Sequence, residues 1–243
     1  MNDSTARALN ALNQTFYTDS AALFAGTRRA PWPGWRELLP LLRGRSAAAF
    51  LDVGCGTGRF ASFLRTELGA PFLYCGIDAS APLLADAERA LAGVPGARLL
   101  RADLVLEAPA RALPDERFDA VVAFGLLHHI PQEECRRRLV LALAERVAPG
   151  GILALTFWDF AREARFARKA FRDAPPELEG RLEAGDVLLR WGAEGSPRLR
   201  YCHYTDEAEE ARLLADLPLL PRLAFASDGR SGRLNRYRVF ERS

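Results

Sequence analysis

The stretch Leu51-Asp52-Val53-Gly54-Cys55-Gly56-Thr57-Gly58-Arg59-Phe60 is an apolar run that breaks into three alternating glycines and then becomes compatible with a helix. Glycine has no Cβ atom, so the backbone can turn tightly there and a ligand can lie against it. The helix that follows offers unpaired N–H groups at its start. The pattern predicts a strand, a tight turn and a helix that together bind a nucleoside.

The chemistry of this turn does not suit a phosphate group. A dinucleotide-binding turn has the spacing G-x-G-x-x-G, whereas here the third glycine comes one residue early and Asp52 precedes the first. A carboxylate beside the turn repels a phosphate but attracts an ammonium group, and backbone N–H groups can hold a carboxylate. We therefore predict S-adenosylmethionine (SAM), which has an amino-acid tail, as the ligand. The predicted contacts in the turn are Asp52, Gly54, Cys55, Gly56 and Gly58.

Four further apolar runs follow and alternate with helix-like segments. They span residues 72–78, 97–103, 118–125 and 152–157. Two runs end in a carboxylate, Asp78 and Asp103, at the edge of a sheet where doubly wound folds bind ligands. We predict that Asp78 accepts hydrogen bonds from ribose hydroxyls and that Asp103 accepts the adenine amino proton. The neighbouring Ala79, Leu104 and Phe124 complete the predicted cofactor site.

The alternation of strands and helices predicts an α/β fold with a doubly wound, mostly parallel sheet. A helix over about 132–147 is predicted to close at the turn Pro149-Gly150-Gly151. Residues 219–240 are predicted to form the last two strands, with a basic hairpin tip at 229–233. An acid-rich helix is predicted just before them, over 205–216.

Two additions surround this predicted core. Residues 1–45 precede the first strand, and Leu9, Leu12 and Phe16 at helical spacing predict a helical lid over the open end of the sheet. The remaining residues, 46–243, are predicted to form one catalytic domain with an insertion at about 160–200. The charged pattern over 160–185 predicts that this insertion begins as a helix.

Composition limits the class of protein. At 243 residues and 49% hydrophobic, the chain can bury one large core without disulfides or metals. The four cysteines are scattered with no C-x-x-C pair, so we predict neither a zinc site nor a disulfide framework. No apolar run reaches 18 residues and the N-terminus carries no signal sequence, which predicts a cytoplasmic protein with no membrane partner.

The central motifs resemble class I SAM-dependent methyltransferases over about residues 46–160. The glycine turn, Asp78, Asp103, the pair His128-His129 and the Pro-Gly-Gly turn all stand in the order of that family. The resemblance implies a Rossmann-like sheet of seven strands with an antiparallel final strand. It also implies that SAM lies across the carboxyl ends of the first strands.

Segments outside the core resemble one branch of that family, the tRNA wobble-uridine carboxymethyl methyltransferases. This branch comprises the methyltransferase domain of the eukaryotic AlkB-homologue tRNA enzyme and its fungal counterpart. The resemblance rests on Thr27-Arg28, Pro31-Trp32-Pro33, His128-His129 and Arg200-Tyr201-Cys202-His203. It departs from the family at Cys202, where a second tyrosine is usual. Those enzymes esterify the carboxylate of 5-carboxymethyluridine, and eukaryotic members work with a small zinc-binding activator subunit, so tRNA and such a subunit are the implied partners.

A carboxylate acceptor is ionised at pH 7, so its site needs a cationic or hydrogen-bonding clamp rather than a base. We predict Arg28 and His128 or His129 as catalytic residues. The predicted substrate contacts are Arg28, Arg29, Trp32, Tyr201 and His203. A hydroxyl or amine acceptor would instead need a general base, for which histidine is suited, so the histidine pair permits both reactions.

Two alternatives therefore stay open. One is a small-molecule O- or N-methyltransferase of secondary metabolism, which a closed, aromatic-lined pocket would favour. The other is a non-catalytic protein with the SAM-binding fold that acts as a partner. A basic surface spanning Arg28, residues 162–172 and residues 230–236 would favour RNA as the substrate.

Overall fold

The computed structural model describes residues 1–26, 30–43, 48–171, 175, 178, 180–191 and 198–243, leaving aside the side chains of 21–25. The strands of these residues are β1 Ala49–Val53, β2 Leu73–Asp78, β3 Ala97–Arg101, β4 Phe118–Ala123, β5 Val147–Trp158, β6 Ala170–Phe171, β7 Asp186–Trp191, β8 Arg198–His203, β9 Leu220–Ser227 and β10 Asn235–Glu241. The α-helices are α1 Asp3–Gly26, α2 Leu39–Leu42, α3 Arg59–Leu68, α4 Ala81–Leu91, α5 Pro109–Ala112, α6 Glu133–Glu145, α7 Ala164–Ala167 and α8 Glu207–Leu214. Short 3-10 turns span Pro33–Leu38, Leu127–His129 and Phe160–Arg162.

Seven strands form the central sheet in the order β3-β2-β1-β4-β5-β10-β9. The strands β1 to β5 are parallel, and β10 is antiparallel to both of its neighbours. This confirms the predicted doubly wound sheet and its antiparallel final strand. The chain moves outward in opposite directions from β1 and β4, so a crevice opens at the carboxyl ends of these two strands.

The sheet is buried on both faces, which explains why the run at 118–125 is nearly all apolar. Val121 and Val122 are both fully buried in β4, and successive strand residues point to opposite faces. Val121 belongs to the apolar cluster that includes Leu139 of α6, whereas Val122 belongs to the cluster that includes Phe60 of α3. The two layers hold the carboxyl ends of the central strands in fixed positions.

The predicted N-terminal helix is present as α1. Leu9 and Phe16 are buried, and Leu12 is partly buried on the same apolar side. The helix packs against β8 and α4 rather than standing alone. Leu9 shares its apolar cluster with Leu188 and Tyr201, which lie in the insertion after β5. The lid and the insertion therefore support each other.

The predicted charged helix at the start of the insertion is wrong. The described residues there contain the 3-10 turn Phe160–Arg162 and the single helical turn α7, and the antiparallel sheet β6-β7-β8 follows. Leu188 faces the cluster under α1 while Leu189 faces Phe160 and Cys202. Because the two faces of this small sheet are both covered, alternation with period two decides the structure.

The Pro149-Gly150-Gly151 segment also differs from its prediction. Helix α6 ends at Glu145, and the three residues lie inside an irregular β5 rather than in a closing turn. The β4–β5 register jumps at this point, and the Gly150 N–H donates to the Arg242 carbonyl at 2.8 Å. Gly150 has a φ of 69°, which glycine adopts without strain. The segment is a bulge held by the C-terminal chain.

The remaining predicted elements agree with the structure. The acid-rich helix is α8, and the last two strands are β9 and β10 with the basic tip between them. Within the described part of the chain, no helix combines the length and apolar character needed to cross a membrane.

Candidate active site

A cavity of about 160 Å³ lies at the carboxyl ends of the central strands, beneath α1. We call it the donor cavity. Its lining includes these residues of the predicted cofactor site: Gly54, Cys55, Gly56, Asp78, Ala79, Asp103, Leu104 and Phe124. These residues follow four different strands, β1 to β4, but all of them line one cavity, as the prediction of a single ligand requires.

The glycine turn is shaped by its own hydrogen bonds. Gly54, Gly56 and Gly58 have φ values of 79°, 55° and 71°, a region that side-chain-bearing residues rarely adopt. The N–H groups of Gly54 and Cys55 donate to the Ile77 carbonyl at 2.8 and 3.0 Å, which ties the turn to the end of β2. The Gly56 N–H donates to Asp78 at 2.9 Å. These three N–H groups bond to the protein and fix the turn. The prediction that they hold the carboxylate of a ligand is therefore wrong.

Gly58 also has a different role from the one predicted. It is absent from the described lining of the donor cavity, and a Cβ atom there would lie 3.3 Å from the Ala87 side chain. Gly58 therefore lets α3 and α4 approach each other. Its positive φ starts α3 at the required angle.

Asp78 combines a structural and a ligand-facing position. Its Oδ1 accepts the Ser80 N–H and its Oδ2 accepts the Gly56 N–H, both at 2.9 Å. Burial raises the pKa of this carboxyl, while the backbone N–H groups act in the opposite direction. The side chain borders the donor cavity at the end of β2, where the predicted ribose acceptor belongs.

Asp52 lies behind the turn rather than in the cavity lining. It is 3% exposed, and the Tyr74 hydroxyl donates to it at 2.6 Å. Burial, with the neighbouring Asp78 as a smaller cause, raises the pKa of Asp52 to about 7. The predicted direct contact between Asp52 and a ligand ammonium is therefore wrong. Because the side chain does not line the cavity, Asp52 can affect a ligand there only through its charge.

Asp103 connects the donor cavity to the lid. Its Oδ2 accepts Asn10 Nδ2 at 2.7 Å and Gln14 Nε2 at 3.3 Å, both from α1. Its Oδ1 accepts the N–H groups of Val105 and Leu106 at 3.0 and 3.1 Å, which closes the loop after β3. The predicted adenine acceptor is therefore shared between the cavity and the helix above it.

Arg59 is a donor-cavity residue that the sequence argument missed. It is the first residue of α3, lines the cavity, and donates to the Ala30 carbonyl at 3.1 Å. Its guanidinium carbon lies 5.6 Å from the Trp32 ring centroid, within cation–π range. Among the described residues it forms no ion pair with a carboxylate, so it fits the carboxylate end of a SAM tail. The available signal was a cation directly after the last glycine of the turn.

The two predicted catalytic histidines face different ways. His129 lines the donor cavity, where its Nδ1 lies 3.1 Å from the Tyr201 carbonyl and its Nε2 lies 2.7 Å from the Tyr17 hydroxyl. Asn13 Nδ2 lies 3.4 Å from the same Nδ1, so three polar groups surround the ring, and which of them donate depends on the tautomer of His129. These bonds tie His129 to α1 and β8 and give it a positioning role.

His128 borders a second cavity of about 390 Å³, which we call the acceptor cavity. Gly125 and Trp32 line both cavities, so the two meet at the end of β4. The His128 ring packs against Trp158, with ring centroids 4.8 Å apart. Of the two histidines, His128 is thus the one that borders the acceptor cavity.

The acceptor cavity has a cationic and aromatic lining. Its lining cations are Arg165, Lys169, Arg190 and Arg200. Its lining aromatic residues, besides His128, are Trp32, Trp158, Phe166 and Trp191. The only acidic residue in the described lining is Asp228, whose carboxylate accepts hydrogen bonds from Gly34, Asn235 and Tyr237. The cavity therefore suits a flat, anionic group.

The predicted substrate contacts divide three ways. Trp32 lines both cavities. Tyr201 and His203 require correction because both are buried and bonded within the protein, and neither is in the described lining of either cavity. Asp186 accepts the Tyr201 hydroxyl at 2.8 Å and lies 2.7 Å from His203 Nδ1. Arg28 and Arg29 lie outside the described residues.

His203 instead joins the insertion to the rest of the protein. Its Nε2 lies 2.6 Å from Glu209 of α8, and Glu209 accepts Arg136 Nε at 2.8 Å. Burial opposes a charged ring, but the bonds to Asp186 and Glu209 outweigh it and raise the pKa of His203. His203 is thus part of a buried network that links β7, β8 and α8, although the motif resemblance implied that it contacts the substrate.

Part of the chain is similar in sequence to known proteins. Residues 51–153 match the family described as a methyltransferase domain. A tRNA (carboxymethyluridine(34)-5-O)-methyltransferase of Arabidopsis thaliana is 31% identical over 147 residues, which is 60% of this chain and 32% of that protein. A probable tRNA methyltransferase 9B of Mus musculus is 28% identical over 183 residues, 75% of this chain and 34% of that protein. The chain thus spans about a third of the length of these curated relatives.

The fold has solved counterparts. A SAM-dependent methyltransferase from Methanosarcina mazei superimposes with a TM-score of 0.63 at 20% identity, covering 87% of this chain and 98% of that one. At this identity the likeness concerns the fold alone. The matched domain contains the glycine turn, Asp78, Asp103 and the histidine pair, and the surrounding sheet has the Rossmann-like class I order. Residues 51–153 of this chain are thus similar to methyltransferase domains, and the chain has the class I fold seen in SAM-dependent methyltransferases.

Proposed function

We propose that this chain is a SAM-dependent methyltransferase that esterifies the carboxylate of a modified wobble uridine in tRNA. The observation that carries the proposal is the acceptor cavity, which joins the donor cavity at Gly125 and Trp32 and is lined by cations and aromatic rings. A uridine that carries a carboxymethyl group has a flat ring and one negative charge. The cavity offers a complement to each.

The reaction needs alignment more than acid–base chemistry. Methyl transfer from a sulfonium is an in-line displacement, for which the reacting atoms must lie about 3 to 3.5 Å apart. A carboxyl group with a pKa near 4 is ionised at pH 7, so no residue has to remove a proton. His128, held against Trp158 at the cavity wall, then serves as a hydrogen-bonding group rather than a base.

The aromatic lining supports a base taken out of its stack. Sequence-specific RNA recognition commonly stacks an unstacked base on aromatic or arginine side chains. Trp158 and Phe166 pack at 4.8 Å between ring centroids on one side of the acceptor cavity, and Trp32 lies on the boundary with the donor cavity. Both sequence relatives named above are tRNA methyltransferases by name.

A second candidate is a small carboxylic acid as the acceptor. A lining rich in aromatic rings and a cavity of about 390 Å³ fit a small molecule as well as a nucleotide. The third alternative, a non-catalytic partner protein, is disfavoured because the donor cavity retains the glycine turn, Asp78 and Asp103. Undetectable SAM binding by calorimetry would restore that alternative.

The test is transfer of labelled methyl from SAM into total tRNA, compared with an RNA-free metabolite extract of the same cells. We expect label in a uridine nucleoside, lost on mild alkali as an ester should be, and identified by nucleoside mass spectrometry. Label confined to the metabolite fraction would replace the tRNA proposal with the small-acid candidate.

The implied zinc-binding activator subunit stays a prediction. The same assay addresses it, since turnover on tRNA by this chain alone would show that no activator is required. Turnover that appears only after a small zinc-binding subunit is added would support the prediction.

A further inference from the structure

Arg200 is a buried cation that the described protein does not neutralise. It is 5% exposed in β8; its side chain forms a hydrogen bond with the Tyr17 side chain, but its Nε has no hydrogen-bond partner. No carboxylate of the described residues forms an ion pair with it. A buried charge without a counter-ion costs several kcal/mol, so such a residue marks a place where an anion is expected. Arg200 lines the acceptor cavity.

The guanidinium is held in one orientation by aromatic rings from two elements. Its central carbon lies 5.0 Å from the Trp158 ring centroid and 5.6 Å from that of Phe16 in α1. Stacking of this kind fixes the plane of the guanidinium while leaving its N–H groups at the edge. A planar carboxylate can then be bound by two parallel hydrogen bonds.

The other cations of the cavity are less suited to this task. Arg165 pairs with Glu163 at 2.9 Å, and its side chain is 39% exposed. Lys169 and Arg190 are exposed, so solvent screens their charges. Arg200 alone among the described lining cations combines burial, fixed orientation and the lack of a carboxylate partner.

We infer that Arg200 is the receptor for the acceptor carboxylate and selects anionic over neutral acceptors. The inference rests on the proposed function in one respect, namely that the acceptor group is a carboxylate. In the reaction, a carboxylate oxygen gives an electron pair to the methyl carbon of SAM. The carbon–sulfur bond breaks, its electron pair stays on sulfur, and no proton moves. The ester that forms is neutral, so Arg200 binds the product more weakly than the carboxylate substrate.

The experiment compares two uridines by calorimetry in the presence of S-adenosylhomocysteine. The probes are 5-carboxymethyluridine and its neutral amide, 5-carbamoylmethyluridine. The parent protein is expected to bind the carboxylate roughly 10- to 100-fold more tightly than the amide. Arg200→Met should abolish that preference and leave the affinity for the amide unchanged. Arg200→Lys should retain part of it, because an ammonium supplies charge without the two-pronged geometry.

Two readouts separate a receptor from a structural residue. Arg200→Met should keep the parent affinity for S-adenosylhomocysteine and melt at the same temperature or higher, because it removes a buried, uncompensated charge. The matched control is Arg222→Met, an exposed arginine of β9 paired with Glu241, which should change neither uridine affinity nor their ratio. A lower melting temperature with parallel loss of every ligand would overturn the receptor role.

The outcomes also separate this inference from the proposed function. If tRNA is methylated but Arg200→Met keeps the full preference for the carboxylate, the function stands and the receptor assignment fails. If labelled methyl does not enter tRNA, the tRNA proposal fails, and succinate and succinamide replace the uridines as probes. Loss of the succinate preference in Arg200→Met would then still support the receptor, and its persistence would overturn it.

Discussion

Asp78 holds the donor site together from two sides, since it fixes the glycine turn and borders the cavity. Asp78→Ala should lower SAM affinity by roughly 10-fold or more, because it removes the ribose acceptor and releases the Gly56 and Ser80 N–H groups. Asp78→Asn keeps the shape and one acceptor oxygen, so its loss should be smaller. Calorimetric titration with SAM measures both. Near-normal affinity in the alanine variant would show that the cofactor lies elsewhere.

Asp52 gives stability a specific pH dependence. Its folded-state pKa of about 7, against the ordinary 3.8, means that the folded protein binds this proton more tightly than the unfolded chain does. The free energy of unfolding therefore falls as the pH rises from about 4 to about 7, and Asp52 accounts for a fall on the order of 4 kcal/mol. Asp52→Asn still accepts the Tyr74 hydroxyl and has no such loss.

The corresponding measurement is urea unfolding of parent and Asp52→Asn at pH 5 and pH 8. The variant should gain stability relative to the parent as pH rises. A difference that is the same at both pH values would mean that Asp52 is ionised in the folded protein throughout the range.

Sequence reasoning located several site residues because their roles follow from position along a strand. Asp78 and Asp103 come at strand ends, and parallel strands bring such ends together. Sequence reasoning could not separate His128 from His129, because the direction of each ring depends on contacts with α1, β5 and β8 that are distant in sequence. His203 was misassigned for the same reason, since Asp186 and Glu209 were not visible as its partners.

At the scale of elements, α1 is attached to the donor cavity by polar contacts as well as by its apolar side. Asn10 and Gln14 both donate to Asp103. The double variant Asn10→Ala and Gln14→Ala should speed dissociation of S-adenosylhomocysteine by up to roughly 30-fold, since two hydrogen bonds are lost and each contributes about 1 kcal/mol. Stopped-flow fluorescence measures this rate.

The control for the lid is Thr15→Ala, an exposed position on the same helix. It should leave the dissociation rate unchanged. An unchanged rate in the double variant as well would indicate that α1 contributes structure to the insertion but does not retain the cofactor.

Elements were predictable where one periodicity dominates. The runs that form β1 to β5 are apolar because the sheet is covered on both faces, and α1 carries a clear helical spacing of Leu9 and Phe16. The insertion failed because its charged residues resemble a solvated helix, whereas the small sheet gains its stability from Leu188 and Leu189 packing on opposite faces. Such packing depends on α1 and the 3-10 turn near Phe160, which local sequence does not show.

For the whole molecule, the net charge of +2 says little about RNA, but the placement of charge does. Gly229 and Leu234 line the acceptor cavity, so the basic tip between β9 and β10 stands at its mouth. Arg230 and Arg233 are exposed there. Arg230→Gln with Arg233→Gln should raise the KM for tRNA and reduce its salt dependence, because phosphate contacts release counter-ions.

The double variant should leave the activity on the free nucleoside unchanged. The control is Arg222→Gln, which replaces an exposed arginine elsewhere on β9 and should change the activity on neither substrate. Filter binding and turnover over a salt series measure the effect. An equal loss on tRNA and on nucleoside would mean that the tip shapes the cavity and does not contact RNA.

The central claim is that a methyl donor and a carboxylate acceptor occupy two adjoining cavities that meet at Gly125 and Trp32. The most direct measurement is a crystal structure with S-adenosylhomocysteine and 5-carboxymethyluridine bound together. We expect the cofactor ribose at Asp78, its sulfur toward the shared boundary, and the uridine carboxylate on the far side of that boundary beside Arg200. A uridine bound outside the acceptor cavity, or a sulfur facing away from the boundary, would contradict the account.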